Sequence, residues 1–81
     1  MEVSDYWKKY EAFNKSFKQS DRNEISIGLE DARTYVNGLT DGWHEFLVRL
    51  KEIRNSFTTL TNSELETLDK MIRELETNLK N

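Results

Sequence analysis

The fold is decided by residues 43–79, which read WHEFLVRLKEIRNSFTTLTNSELETLDKMIRELETNL. Apolar side chains recur there in alternating steps of three and four positions, the spacing of one face of an amphipathic helix. They form two seams that are out of phase with each other. The first seam is Trp43, Phe46, Leu50, Ile53, Phe57 and Leu60, and the second is Leu65, Leu68, Ile72, Leu75 and Leu79. The break in phase predicts two helices instead of one continuous helix.

A helix-start signal lies between the two seams. Thr61 and Glu64 have the spacing of a capping box, in which each side chain accepts a hydrogen bond from the other residue's backbone amide. Leu60 and Leu65 flank this pair at the positions of a hydrophobic staple. The sequence therefore predicts a C-terminal helical hairpin.

An aromatic helix is predicted at the start of the chain. Ser4 is a candidate N-cap, and Asp5 would lie in the first turn. One helix face then carries Tyr6, Tyr10, Phe13 and Phe17, with Trp7 beside them and Lys8, Lys9, Lys15 and Lys18 around them. Because large rings bury much area, we expect this face to pack in the core. The alternative is a partner-facing edge near Trp7 and Tyr6.

The second helix has the weakest pattern. Asp21 with Glu24 offers a start signal, and Asn37-Gly38 is typical of a helix stop. Gly28 lowers the helix propensity by about 1 kcal/mol relative to alanine, and residues 25–27 alternate in a way that also fits an extended segment. The apolar stripe that favours a helix is Ile25, Leu29, Ala32, Val36 and Leu39.

These patterns predict an all-α fold, a small antiparallel helical bundle of three to four helices with a C-terminal helical hairpin. The whole chain, residues 1–81, is expected to form a single helical domain. Thr40 or Asp41 is expected to cap the third helix. The helices are predicted over about 5–18, 24–37, 42–58 and 62–79.

The composition narrows the functional classes. The chain has no cysteine and no proline, and its net charge is −3. Without cysteine, no thiolate can act as a nucleophile or bind zinc. Positive charges are interspersed with negative ones, which argues against a dedicated nucleic-acid binder. The amino terminus lacks a signal-peptide pattern and the longest apolar run is short, so we expect a cytoplasmic protein with no membrane span.

Few residues indicate catalysis or ligand binding. His44 is the only histidine, and one histidine beside Asp41 and Glu45 is a poor metal-ligand set. The carboxylates of the last helix are interpreted as a solvated face with pairs four positions apart, such as Asp69 with Arg73. The three glycines are isolated and form no phosphate-binding loop. We expect no enzymatic activity, no cofactor and no bound metal.

Two segments resemble known families. Residues 60–75 resemble the helical hairpin of small sporulation-type aspartyl-phosphate phosphatases, whose signature is Ser-x-x-Leu-Asp; Leu68-Asp69 matches its end, and Leu65 stands in the serine position. This resemblance implies a regulator that acts on a phosphorylated partner through Asp69. Gly42-Trp43 resembles, in reverse order, the Trp-x-Gly turn of small type VII secretion proteins, which implies a secretion-type helical hairpin; the Tyr-x-x-x-Asp/Glu tail of those proteins is not present.

The patterns together favour a small non-enzymatic protein–protein interaction or regulatory protein, of bacterial or phage origin, that acts through amphipathic helix faces. The partner is expected to be a protein. A homodimer is one option, because the narrow apolar seam of the last helix is typical of a coiled-coil contact. The candidate partner-binding residues are Tyr6, Trp7, Tyr10, Leu68, Met71, Ile72, Leu75 and Leu79.

Overall fold

A computed structural model describes residues 3–38 and 40–79, apart from the side chain of Thr40. Four α-helices cover most of these residues: α1 is Val3–Gln19, α2 is Asn23–Arg33, α3 is Thr40–Ser56 and α4 is Asn62–Leu79. No strand occurs in the described ranges. The predicted all-α class is therefore confirmed, and α4 has the predicted bounds.

Each helix runs antiparallel to the next one along the chain. Between α2 and α3, Gly28 faces Ile53, whereas Tyr35, just beyond α2, contacts Arg49. Ion pairs fix the direction of the other two hairpins: Glu11 with Arg33 and Lys18 with Glu30 between α1 and α2, and Lys51 with Glu76 and Arg54 with Asp69 between α3 and α4. The result is an up-down-up-down bundle.

The core is formed by the apolar seams. These side chains are buried: Phe46, Leu50, Ile53 and Leu60 from the first seam, and Leu68, Ile72 and Leu75 from the second. The others, Trp43, Phe57, Leu65 and Leu79, pack against the core and stay partly exposed. The alternating steps of three and four positions thus identified the buried faces of α3 and α4.

The aromatic face of α1 packs in the core, as expected. The buried rings are Tyr6, Tyr10, Phe13 and Phe17. The Tyr6 hydroxyl donates to the Met71 carbonyl oxygen at 3.3 Å, and the Tyr10 hydroxyl donates to the Leu29 carbonyl oxygen at 2.6 Å. Burial raises the pKa of both phenols well above the ordinary tyrosine value. The two tyrosines therefore link α1 to α4 and to α2. These hydrogen bonds satisfy hydroxyl groups that would otherwise be buried without a partner.

The predicted capping box is present at the start of α4. The Thr61 amide donates to the Glu64 carboxylate at 2.9 Å, and the Glu64 amide donates to the Thr61 hydroxyl oxygen at 3.2 Å. Leu60 is buried and Leu65 packs against the core, which agrees with the predicted staple. The reciprocal bonds satisfy two backbone donors that a helix start leaves without partners.

Two predicted helix caps are wrong. Ser4 lies inside α1, which already includes Val3. At the start of α2 the N-cap position belongs to Arg22, and no side chain caps that end. Asp21 instead has a φ of 59°, in the left-handed region, because it reverses the chain between α1 and α2. Aspartate tolerates this conformation better than most residues.

The end of α2 is also earlier than predicted, at Arg33 instead of residue 37. The amides of Tyr35 and Val36 donate three positions back, so the chain tightens into turns. The Tyr35 carbonyl oxygen then lies against Gly42, where a Cβ atom would be only 2.2 Å from it. The packing of this turn against α3 therefore competes with the continuation of α2 as a helix.

The junction before α3 retains one predicted feature. Gly38 has a φ of 90°, a conformation that favours glycine, so the expected chain reversal is present beyond the shortened α2. α3 begins at Thr40, with Asp41 in its first turn. The predicted cap by Thr40 lies outside the described residues, since the side chain of Thr40 is not described.

Candidate partner-binding groove

A groove runs along the seam between α1 and α4. The close backbone contacts of the bundle join helices that are adjacent in sequence, whereas side chains bridge α1 and α4. The groove has a volume of about 620 Å³, compared with about 250 Å³ for the depression between α2 and α3. Its lining residues are Lys9, Ala12, Phe13, Ser16, Thr61, Ser63, Glu64, Thr67, Lys70, Met71 and Glu74.

The groove is open because short side chains face each other across the seam. Ala12 and Ser16 lie four positions apart on α1, and Ser63 and Thr67 lie four positions apart on α4. Residues at this spacing share one face of a helix. Since their side chains are too short to fill the space between two helices, the seam keeps a larger cleft than the one between α2 and α3.

The floor of the groove is apolar. Phe13 and Met71 are 8% and 4% exposed, and both belong to the hydrophobic core. The ring of Phe13 packs edge-on against Phe17, with 4.8 Å between the ring centres. Methionine is unbranched and adapts its shape to what it contacts. The floor can therefore receive an apolar side chain without breaking a buried polar contact.

Glu64 lines one end of the groove and is bound there by Arg22. Two guanidinium nitrogens of Arg22 donate to the two carboxylate oxygens of Glu64, each at 2.6 Å. The same guanidinium donates to the Thr59 carbonyl oxygen at 3.0 Å and lies over the Phe17 ring. Hydrogen bonding to Arg22 lowers the pKa of Glu64, and bonds from Thr61 contribute in the same direction. Glu64 is therefore a charged structural residue and not a free acid in the groove.

The opposite end of the groove is basic. Lys9 on α1 and Lys70 on α4 line it together with the carboxylate of Glu74. A shallower depression of about 350 Å³ continues outward over Lys70, Arg73, Glu74 and Thr77. Cations outnumber the one carboxylate at this end, although the chain as a whole has a net charge of −3.

The unpaired cations of the chain are unevenly distributed. Within the described ranges, each arginine or lysine of α2 and α3 forms an ion pair with a carboxylate, and so do Lys18 and Arg22. The cations without an ion pair in those ranges are Lys8, Lys9 and Lys15 on α1 and Lys70 and Arg73 on α4. Asp5 on α1 and Glu66 and Glu74 on α4 also lack an ion pair in those ranges, so the excess of unpaired positive charge lies on α1.

The structure places most of the predicted partner-binding residues in the core of the chain itself. Six of them are buried: Tyr6, Tyr10, Leu68, Met71, Ile72 and Leu75. Of these, Met71 also lines the groove. The buried part of the α4 seam, which motivated a homodimer, is therefore covered by the chain's own helices. The five buried residues other than Met71 could reach a partner only if the bundle opened.

Trp7 and Leu79, the two remaining predicted partner-binding residues, are partly exposed. Trp7 stacks on Trp43 with 5.5 Å between the ring centres, and the Arg33 guanidinium lies 4.4 Å from the centre of the Trp7 ring. Leu79 lines a small depression with His44 and Leu47. Trp7 thus contacts both Trp43 and Arg33 within the chain, and its role with a partner stays a prediction.

Asp69 and His44, the residues considered for catalysis or metal binding, lie in an ion pair and on the exposed surface of α3, respectively. Asp69 accepts hydrogen bonds from the Arg54 guanidinium, which lowers the pKa of that carboxyl. It thus pairs with α3, not with Arg73 as predicted; Arg73 donates instead to the backbone oxygen of Asp69. His44 is exposed on α3. In the described part of the chain, no three carboxylates or histidines are grouped so that they could hold a metal ion.

Gly42 and Trp43, the basis of the secretion-type resemblance, lie inside the first turns of α3 instead of in a loop. Gly42 is required there by the close approach of the Tyr35 carbonyl oxygen. Trp43 contributes to the aromatic cluster with Trp7 and Phe46. Both residues therefore have a packing role in this chain.

Comparison with known proteins gives no relative: no family, no curated protein and no solved structure matches the chain. Among the described residues, none of the helices is both long and apolar enough to span a membrane. The groove is thus the feature on which a functional argument can be built. Sequence reasoning did not find it, although the small residues Ala12, Ser16, Ser63 and Thr67 at helical spacing were a visible signal.

Proposed function

We propose that this chain is a small, non-enzymatic, cytoplasmic interaction protein, and that it binds a segment of a partner polypeptide in the groove between α1 and α4. The observation that carries the proposal is the combination of an apolar floor, Phe13 and Met71, with a polar rim in a cleft of about 620 Å³. Such a combination suits a segment with one apolar face, because the floor gives affinity and the rim gives orientation.

The proportions of the groove support a polypeptide as its ligand. The lining of α4 extends from Thr61 to Glu74, which is about 20 Å along a helix. A helical segment of three to four turns has this length. The rest of the bundle is well suited to act as a rigid support, because tyrosine hydrogen bonds and interhelical ion pairs join its helices.

Cross-linking from inside the groove tests the proposal. A photoreactive benzoylphenylalanine replaces Ala12, which lines the groove and is exposed, and in a control chain it replaces Val48, which is 46% exposed on α3 away from the groove. In cells of the native host, we expect a discrete adduct from position 12 and none from position 48. Adducts of equal pattern from both positions, or none from position 12, would contradict the proposal.

A further inference from the structure

The outer face of α2 carries the most exposed large hydrophobic side chain of the described residues. Ile27 is 64% exposed. Glu24, three positions before it, and Asp31, four positions after it, lie on the same face of the helix. Both carboxylates are exposed, and neither forms an ion pair within the described ranges. α2 therefore presents an apolar side chain between two acidic ones.

This face is complementary to the groove. The groove has an apolar floor that can receive Ile27, and the cations of Lys9 and Lys70 lie together at one end, where they can meet one of the two carboxylates that flank Ile27. The lengths also agree, since α2 has 11 residues, or about 16 Å, and the groove is about 20 Å long. Opposite charges that lack partners within one chain are available to pair between two chains.

We propose that the segment bound in the α1–α4 groove is α2 of a second copy of this chain. Ile27 of one copy lies on the Phe13 and Met71 floor of the next, and one flanking carboxylate, that of Glu24 or Asp31 according to the direction of α2, faces the ammonium groups of Lys9 and Lys70. This inference rests on the proposed function of the groove and names its partner.

The association is head-to-tail. α2 makes its close contacts with α1 and α3, so its outer face and the α1–α4 groove lie on different sides of the bundle. A copy that uses its groove still has a free α2, and chains of copies grow unless the geometry closes a ring. The contact is small, which places it among weak and salt-sensitive interfaces.

Sedimentation at chain concentrations of about 10 μM to 1 mM tests this association, because a small interface is expected to have weak affinity. We expect the mean mass to rise with concentration at low salt and to return towards that of a single copy at high salt. Ile27→Glu should abolish the rise, whereas Val48→Glu, an equivalent change at another exposed apolar residue, should not. A chain that stays monomeric over the whole range, or equal effects of the two variants, would overturn the inference.

Charge reversal provides the decisive experiment on this association. One chain carries Glu24→Lys and Asp31→Lys, and the other carries Lys9→Glu and Lys70→Glu; all four positions are exposed, so circular dichroism should report unchanged folding. Each chain alone has like charges on its two surfaces and should remain monomeric. A mixture of the two should associate, because opposite charges then meet. Self-association of either variant alone, or a monomeric mixture, would overturn the inference.

The two proposals fail separately. If the cross-linker at Ala12 captures a different protein while the chain itself stays monomeric, the groove keeps its proposed function and the second copy is excluded as its partner. If the cross-linker gives an adduct of twice the chain mass that Ile27→Glu removes, both proposals are supported.

Discussion

Arg22 and Glu64 form a two-pronged ion pair between positions 42 residues apart, with 2.6 Å at each contact. The pair fastens the connector between α1 and α2 to the first turn of α4. Glu64 also accepts a hydrogen bond from the Thr61 amide, so one carboxylate serves both the capping box and the closure of the bundle. Both side chains are mostly shielded from solvent, which strengthens the contact relative to an open surface pair.

Acid should weaken the fold through Glu64. Its pKa in the folded chain lies below the ordinary glutamate value of 4.5, first because of its hydrogen bonds to Arg22. A carboxyl whose pKa is depressed by folding stabilises the fold above its unfolded pKa, and this stability is lost as the pH falls through the folded pKa. We expect the free energy of unfolding, measured by urea denaturation, to decline as the pH falls below about 4.5.

Glu64→Gln should lower stability at neutral pH and flatten this decline. The control is Glu66→Gln, a change at an exposed carboxylate of the same helix that has no ion pair within the described ranges. The control should leave both the stability at neutral pH and its slope with pH nearly unchanged. An equal decline in the wild-type and Glu64→Gln chains would mean that other carboxyls govern acid unfolding.

The N-cap of α4 should be important for stability. Thr61→Ala removes the hydroxyl that accepts from the Glu64 amide, and the expected loss is about 0.5–2 kcal/mol in the free energy of unfolding. Thr58→Ala in the same connector is the matched control, because Thr58 is exposed outside the helix. Chemical denaturation of the two variants checks this. A loss of the same size in the control would show that the connector, and not the cap, is responsible.

Two glycine-to-alanine changes should have opposite signs. At Gly28 a Cβ atom would lie 3.6 Å from Ile53, which is ordinary contact, so Gly28→Ala should stabilise the chain by about 0.5–1 kcal/mol through helix propensity. At Gly42 it would lie 2.2 Å from the Tyr35 carbonyl oxygen, so Gly42→Ala should destabilise by about 1–3 kcal/mol. Thermal denaturation distinguishes them, and two changes of the same sign would contradict the packing of the turn on α3.

Asp69 should be dispensable for function. Asp69→Asn weakens a partly exposed pair with Arg54, for which a cost of about 0.2–1 kcal/mol is expected. Cross-linking from Ala12 should be retained in this variant. If Asp69→Asn folds normally but loses the adduct or a cellular phenotype, the phosphatase-like interpretation of that carboxylate would gain support.

Local patterns predicted the parts of the fold that depend on neighbouring residues. The steps of three and four positions found the buried faces of α3 and α4, and the Thr61–Glu64 spacing found the start of α4. The errors at the two ends of α2 lie where distant contacts decide. The end of α2 depends on how its following turn packs on Gly42, and the start of α2 depends on Arg22, whose main partner is Glu64.

The periodicity of the apolar residues did not reveal the groove, for a related reason. Phe13 and Met71 have the spacing of core residues, and they are core residues; their second role arises only because short side chains face each other on α1 and α4. The sequence also did not predict which charged residues pair between helices. Asp69 was expected to pair with Arg73 within α4, but it pairs with Arg54 on α3.

The stacking of Trp7 on Trp43 gives the folded chain an optical signature. These are the only two tryptophans, and their ring centres lie 5.5 Å apart. Indoles this close couple their electronic transitions, so the pair should give a circular-dichroism couplet distinct from the helical bands. One indole belongs to α1 and the other to α3, so the couplet vanishes when these helices separate, even if each remains helical. The chain thus carries its own reporter for opening of the bundle as opposed to melting of its helices.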